Sequence, residues 1–132
     1  MKLGELKTND EILQEELRSD PEFRAKWART ALGRAVALAI VRYRAERNLS
    51  QRELAQRLEM KQPQVARLEL GEVNPSIETL IRISSQLDIE FTIDVRPAGK
   101  PARNVTKRAK NENLLGSFST DETTLLVAAS AA

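Results

Sequence analysis

The stretch from Ser50 to Gly71, SQRELAQRLEMKQPQVARLELG, constrains the fold of this chain more than any other. Two short segments each carry an apolar stripe, and only Glu59, Met60 and Lys61 separate them. The first opens with Ser50-x-x-Glu53, a capping box in which each side chain satisfies an orphan backbone N–H of the other residue. Leu54, Ala55 and Leu58 then form its buried stripe. The second runs from about Gln62 to Leu70, with Val65 and Leu68 inward and Gly71 as its stop. Pro63 sits in its first turn, where a missing N–H costs little. This leaves Gln62, Gln64 and Arg67 at the front and on one side of the second helix, where a core-seeking helix has no use for them.

The flanks supply the surfaces such a pair would pack against. DEILQEELR, Asp10 to Arg18, predicts a short amphipathic helix with Ile12, Leu13 and Leu17 on one side and acids in its first turn, where the helix dipole favours them. Asp20-Pro21 is an N-cap followed by Pro at the first helical position. Helical spacing then continues through Phe23, Trp27, Ala31, Leu38 and Val41 to about Arg47, with Gly33 bending the segment or breaking it in two. Asn74-Pro75-Ser76 starts a helix to about Leu87, with Ile77, Leu80, Ile83 and Leu87 inward. Glu90 to Val95, EFTIDV, alternates with period two and reads as a strand.

A lone strand cannot satisfy its own backbone, and no second convincing one is visible in the sequence. The expected partner of Phe91, Thr92, Ile93, Asp94 and Val95 is the same strand of a second copy, antiparallel across a two-fold axis. Pro97 to Lys110 is rich in Pro, Lys and Arg and reads as a flexible basic segment, and FSTDETTLLVAASAA beyond it carries no assignable motif.

Composition narrows the function. The chain has 132 residues, no Cys and no His, so thiol nucleophiles, imidazole bases, disulfides and zinc fingers are excluded together. No Gly-rich phosphate loop or carboxylate constellation replaces them, so no catalytic residue, metal or cofactor is expected. No signal peptide or membrane-length apolar run is present, and a cytoplasmic location is expected. The net charge is +2, unevenly spread. Met1 to Glu22 carries three basic and seven acidic residues, whereas Phe23 to Leu70 carries eleven basic and four acidic. The basic block coincides with the two-helix motif, as expected for a polyanion partner, although a solvated helix face would accommodate the same charges.

Read as chemistry, the second helix suits the major groove of DNA, which is about 12 Å wide and accepts one helix. A Gln amide presents a donor and an acceptor that match adenine N6 and N7, and the Arg fork matches guanine O6 and N7. Gln62, Gln64 and Arg67, spaced two and three apart, reach successive base edges. Arg67 has an alternative use in pairing with Glu69 or Glu72.

From Arg44 to Leu87 the chain resembles the Xre family of helix-turn-helix proteins, related to the phage Cro and repressor proteins. The resemblance rests on Leu49-Ser50-Gln51, Glu53-Leu54-Ala55, Leu58, Gln62-x-Gln64-Val65-Ala66-Arg67-Leu68-Glu69, Gly71 and Pro75-Ser76. It implies that Gln62, Pro63 and Arg67 face bases, with Gln64 and Lys61 close to the backbone. It also implies that Gln51 contacts a phosphate and props the reading residues, and that Arg44 and Glu69 form a partly buried ion pair. Arg52 and Arg57 are expected phosphate contacts by position alone. Departures are Glu59 at a turn where the family usually has Gly, Lys61 in place of a Ser or Thr N-cap, and Leu70 in place of a frequent Asn.

The sequence DPEFRAKWARTAL ahead of the first motif helix, together with a strand after the fourth, resembles, more loosely, HigA-like antitoxins of toxin–antitoxin modules. That resemblance implies a homodimer that represses its own operon on double-stranded operator DNA and neutralises a basic mRNA-nuclease toxin. The toxin would be held by the acidic N-terminal extension through Ile12, Leu13, Glu16, Leu17, Phe23 and Trp27. A stand-alone regulator of the same fold is the alternative. The expected architecture is therefore all-α: a lambda-repressor-like domain of four to five helices over 32–96, after a helical extension over 1–31. Strand 90–96 pairs it across a dimer, and 97–132 forms a flexible basic, low-complexity tail.

Overall fold

The computed structural model describes residues 8–99, 114–119 and 123–131. Six helices come first in chain order: α1 (Asn9–Ser19), α2 (Pro21–Arg29), α3 (Ala31–Glu46), α4 (Gln51–Leu58), α5 (Gln62–Leu70) and α6 (Ile77–Leu87). Three strands follow, β1 (Ile89–Pro97), β2 (Leu114–Ser119) and β3 (Thr123–Ala131). Among the described residues no helix is long and apolar enough to cross a membrane.

Local capping sets most helix starts. Thr8 and Glu11 exchange backbone and side-chain bonds at 3.3 and 3.1 Å ahead of α1, and Ser50 and Glu53 do the same at 3.2 and 3.1 Å ahead of α4. The bond from the Ser50 backbone N–H, helped by the Ser50 hydroxyl, holds the Glu53 carboxyl below its ordinary range. A lowered folded-state value makes this cap complete above the carboxyl's unfolded pKa, and it is lost as pH falls through the folded one. Asp20 caps α2 by accepting from the Glu22 and Phe23 N–H groups. The expected long second helix is broken at Thr30 rather than at Gly33. The Thr30 hydroxyl bonds back to the Lys26 carbonyl at 2.9 Å, a local competitor to helix continuation. Gly33 instead lies inside α3, where an added Cβ would stand 2.5 Å from the Val73 carbonyl oxygen.

The core forms where α3, α4, α5 and α6 meet. Val36 and Ile40 from α3, Leu54 and Leu58 from α4, Val65 from α5 and Ile83 from α6 are fully buried. Leu68 is half-buried against them, while Ile77, expected to face inward, is 68% exposed because it is the first residue of α6. The α4–α5 turn is made by Glu59 at φ +55°, the left-handed cap of α4. A side chain there costs about 1 kcal/mol relative to glycine. Glu59→Gly is accordingly expected to raise unfolding stability by ~0.5–1 kcal/mol in urea melts, part of the gain being offset by glycine's larger unfolded-state entropy.

The sheet corrects the all-α expectation and the orphan strand. β1 is not alone: it pairs antiparallel with β3, and β2 pairs with the other edge of β3, giving the order β1-β3-β2. Phe91, Thr92, Ile93, Asp94 and Val95, expected to meet their own copies, face Ala129, Ala128, Val127, Leu126 and Leu125 of the same chain. Part of the segment expected as a tail is thus the central strand, with Val127 fully buried. Residues 100–113, where most of the expected basic segment falls, lie outside the described residues. β1 remains the outer strand of the sheet, with one edge unpaired by any described strand.

Candidate nucleic-acid interface

α4 and α5 form a helix-turn-helix whose second member is buried on one side only. Val65 anchors α5, while Gln62, Pro63, Gln64 and Arg67 are all exposed. Arg52 and Lys61 are exposed on the adjoining surface. Among the described residues, neither the Arg52 nor the Arg67 side chain has a hydrogen bond or ion pair. Neither Glu69 nor Glu72 engages Arg67, so the alternative use considered for it is not the one adopted.

A relay of polar contacts runs from α3 to the front of α5. Arg44 Nε donates to Glu69 Oε1 at 2.8 Å, and Arg44 Nη1 donates to the Leu49 carbonyl at 3.2 Å. The second Glu69 oxygen accepts from Gln51 Nε2 at 2.9 Å, and Gln51 Oε1 accepts from Gln62 Nε2 at 3.1 Å. The Glu69 side chain is only 6% exposed, so its charge is compensated by two donors from two other helices. A carboxylate only accepts, so it dictates which end of the Gln51 amide faces it, and Gln51 in turn dictates the Gln62 amide. Gln62 is left with one N–H and its carbonyl oxygen outward, the donor and acceptor that adenine N7 and N6 require.

Gln64 is disposed differently. Its Oε1 accepts from the Lys61 backbone N–H at 3.1 Å and so closes the start of α5, where Lys61 has no side-chain acceptor to offer. With its oxygen turned to the cap, Gln64 points its N–H donors outward, a disposition suited to a backbone oxygen. Gln51 is half-buried, and its amide spends one donor and its acceptor inside the protein, leaving a single N–H.

The residues expected to hold a protein partner lie apart on α1 and α2, neither of which has a buried residue. Leu13, Leu17, Phe23 and Trp27 are half-buried, Glu16 is exposed and Ile12 is 45% exposed. Phe23 and Trp27 stack with ring centroids 5.9 Å apart, and the Arg34 guanidinium lies 3.5 Å over the Trp27 ring.

Two structural roles were not visible in the sequence. Arg57, offered to a phosphate by its position, donates to the Tyr43 hydroxyl at 3.0 Å and so braces α4 on α3, while Arg47, the C-cap of α3, covers the Tyr43 ring at 3.7 Å. Asn74 bonds to Gly33 and Arg29, more than forty residues earlier, and nothing in its local sequence points to them.

Comparison with known proteins agrees with this geometry. The sequence model of a helix-turn-helix family matches residues 40–93, the span from the middle of α3 into β1. The chain is also similar to a Haemophilus influenzae protein named an uncharacterized HTH-type transcriptional regulator. The two are 28% identical over 110 residues, covering 83% of this chain and 97% of that protein. No solved structure gives a significant match.

Proposed function

We propose that this chain is a DNA-binding transcription regulator that seats α5 in the major groove, two copies reading the halves of a palindrome. The observation that carries the reading is the Gln62 amide, oriented by the Arg44–Glu69–Gln51 relay, standing beside an exposed Arg67 guanidinium without an internal partner. A solvated helix needs no such preset amide, whereas recognition benefits from groups held in place before binding. Arg52, Lys61 and the remaining donors of Gln51 and Gln64 suit phosphates, which position a protein without specifying sequence. Two copies fit two half-sites about 34 Å apart. The unpaired outer edge of β1, with Ile93 and Val95 exposed, is a natural place for them to meet.

The finer reading is an autoregulatory antitoxin. Its support is the α1–α2 arm, whose apolar stripe is only half-covered and whose sequence up to Glu22 is acidic, a surface suited to a basic protein. Deleting Asp10 to Arg18 is expected to leave affinity for the gene's own promoter fragment within about threefold in gel shifts, since α1 buries nothing of the reading domain. The same deletion is expected to abolish capture of a small basic nuclease encoded beside the gene. A stand-alone regulator would show promoter binding and no such capture. Absence of binding to the promoter fragment and to a random duplex library alike would end the DNA reading itself.

A further inference from the structure

One side chain ties the N-terminal arm to the far end of the reading helix. Asn74 Oδ1 accepts from the Gly33 N–H at 2.9 Å, and Asn74 Nδ2 donates to the Arg29 carbonyl at the end of α2. Residues 71–74 lead directly out of α5, and they meet α3 with little slack. Gly71, at φ +67°, sits where a Cβ would stand 3.1 Å from Arg34 Cα, and the Val73 carbonyl fills the space a side chain at Gly33 would need. On the other side, α2 has no buried residue and is held on α3 by few contacts. The main ones are the Arg34 guanidinium over Trp27, a 2.8 Å bond from Arg34 Nη1 to the Thr30 hydroxyl, and the Asn74 bridge. Burial lowers the Arg34 pKa to about 10, so the cation over Trp27 is still charged at neutral pH.

We propose that Asn74 is a positioning residue coupling the α1–α2 arm to the reading helix, so that a basic protein partner that shifts α2 pulls on residues 71–74 and changes how α5 sits on DNA. The coupling rests on the DNA reading above only for its consequence; the mechanical link exists without DNA. The energetic link is reciprocal, so DNA on α5 must alter the arm by the same free energy.

Trp27 is the sole tryptophan, which makes the arm its own reporter. Asn74→Asp retains an acceptor for the Gly33 N–H but replaces the donor to the Arg29 carbonyl with a second oxygen, loosening only the α2 side. The full-length chain is titrated with its promoter duplex while Trp27 emission is followed, with circular dichroism as the folding control. In the unsubstituted chain, binding is expected to shift Trp27 emission although Trp27 lies outside the reading surface. In Asn74→Asp the duplex still binds, and most of the Trp27 response is lost. Without DNA, Asn74→Asp is expected to expose Trp27 to acrylamide and to speed amide exchange at Gly71 to Val73, whereas Arg67→Ala changes neither. A silent Trp27 on binding, or an undiminished response in Asn74→Asp, overturns the coupling. If no duplex binds at all, the DNA reading fails and exchange at Gly71 to Val73 decides alone, an unchanged rate overturning the link and a raised rate upholding it.

Discussion

Glu69→Ala is expected to destabilise the domain by about 2–3 kcal/mol and to weaken operator binding beyond what the lost stability accounts for. The carboxylate is 6% exposed and receives Arg44 Nε at 2.8 Å and Gln51 Nε2 at 2.9 Å. Removing one partner of a buried ion pair costs roughly 3–5 kcal/mol, because it strands the other charge. Arg44 retains 29% side-chain exposure, so water recovers part of that and the lower figure applies. The loss is large against the ~5–15 kcal/mol that holds a small domain together. It should appear as a lower urea midpoint with an unchanged slope. The second consequence is specific to the relay. Without Glu69 nothing dictates the Gln51 amide, and Gln62 loses the contact that presets its own, so affinity should fall even at temperatures where the variant is fully folded. A variant equally destabilised elsewhere, such as one truncated at Ile83 in the core, should bind normally once folded.

The other large effect is on sequence choice. Arg67→Ala and Gln62→Ala should each forfeit about 1–3 kcal/mol of discrimination at one base pair of the half-site, a loss of preference on the order of 5- to 150-fold. Both side chains are exposed, so the fold and melting should be unaffected. Arg52→Ala is the informative contrast. Its guanidinium lies at the front of α4 and suits a phosphate, so its loss should weaken all duplexes alike and reduce the salt slope by about one. Should Arg67→Ala behave like Arg52→Ala, lowering affinity evenly with the preferred sequence intact, Arg67 would be a backbone contact and α5 would be misassigned as the reader.

What was legible in the sequence follows from the range over which each feature is encoded. The Ser50–Glu53 capping box, the α4 and α5 stripes and the Gly71 stop are written within a few residues of the structures they form, and the spacing reveals them. Local competition hides more. The break between α2 and α3 comes from a Thr30 hydroxyl, while Gly33, the expected hinge, serves a close approach by a segment forty residues away. The sheet was hidden for a different reason: β3 reads TTLLVAASA, half of it alanine and leucine without alternation, and becomes a strand only because β1 and β2 flank it. In the interface, residue types announced Gln62 and Arg67, but no sequence pattern distinguishes a glutamine aimed outward from one spent on capping its own helix. That difference is fixed by what each amide meets: the Gln64 oxygen takes the Lys61 backbone N–H, whereas the Gln62 amide donates to the Gln51 side chain.

The most direct test of α5 as the reading element is protection of guanine N7 from methylation, because that atom lies in the major groove beside the edge an arginine fork engages. The full-length protein on its promoter duplex should protect guanines in two clusters centred one helical turn, ~34 Å, apart. In Arg67→Ala those guanines should become reactive while the neighbouring backbone sugars stay shielded from hydroxyl radical. Unprotected guanine N7 on a saturated duplex, or the same protection in Arg67→Ala, would contradict it.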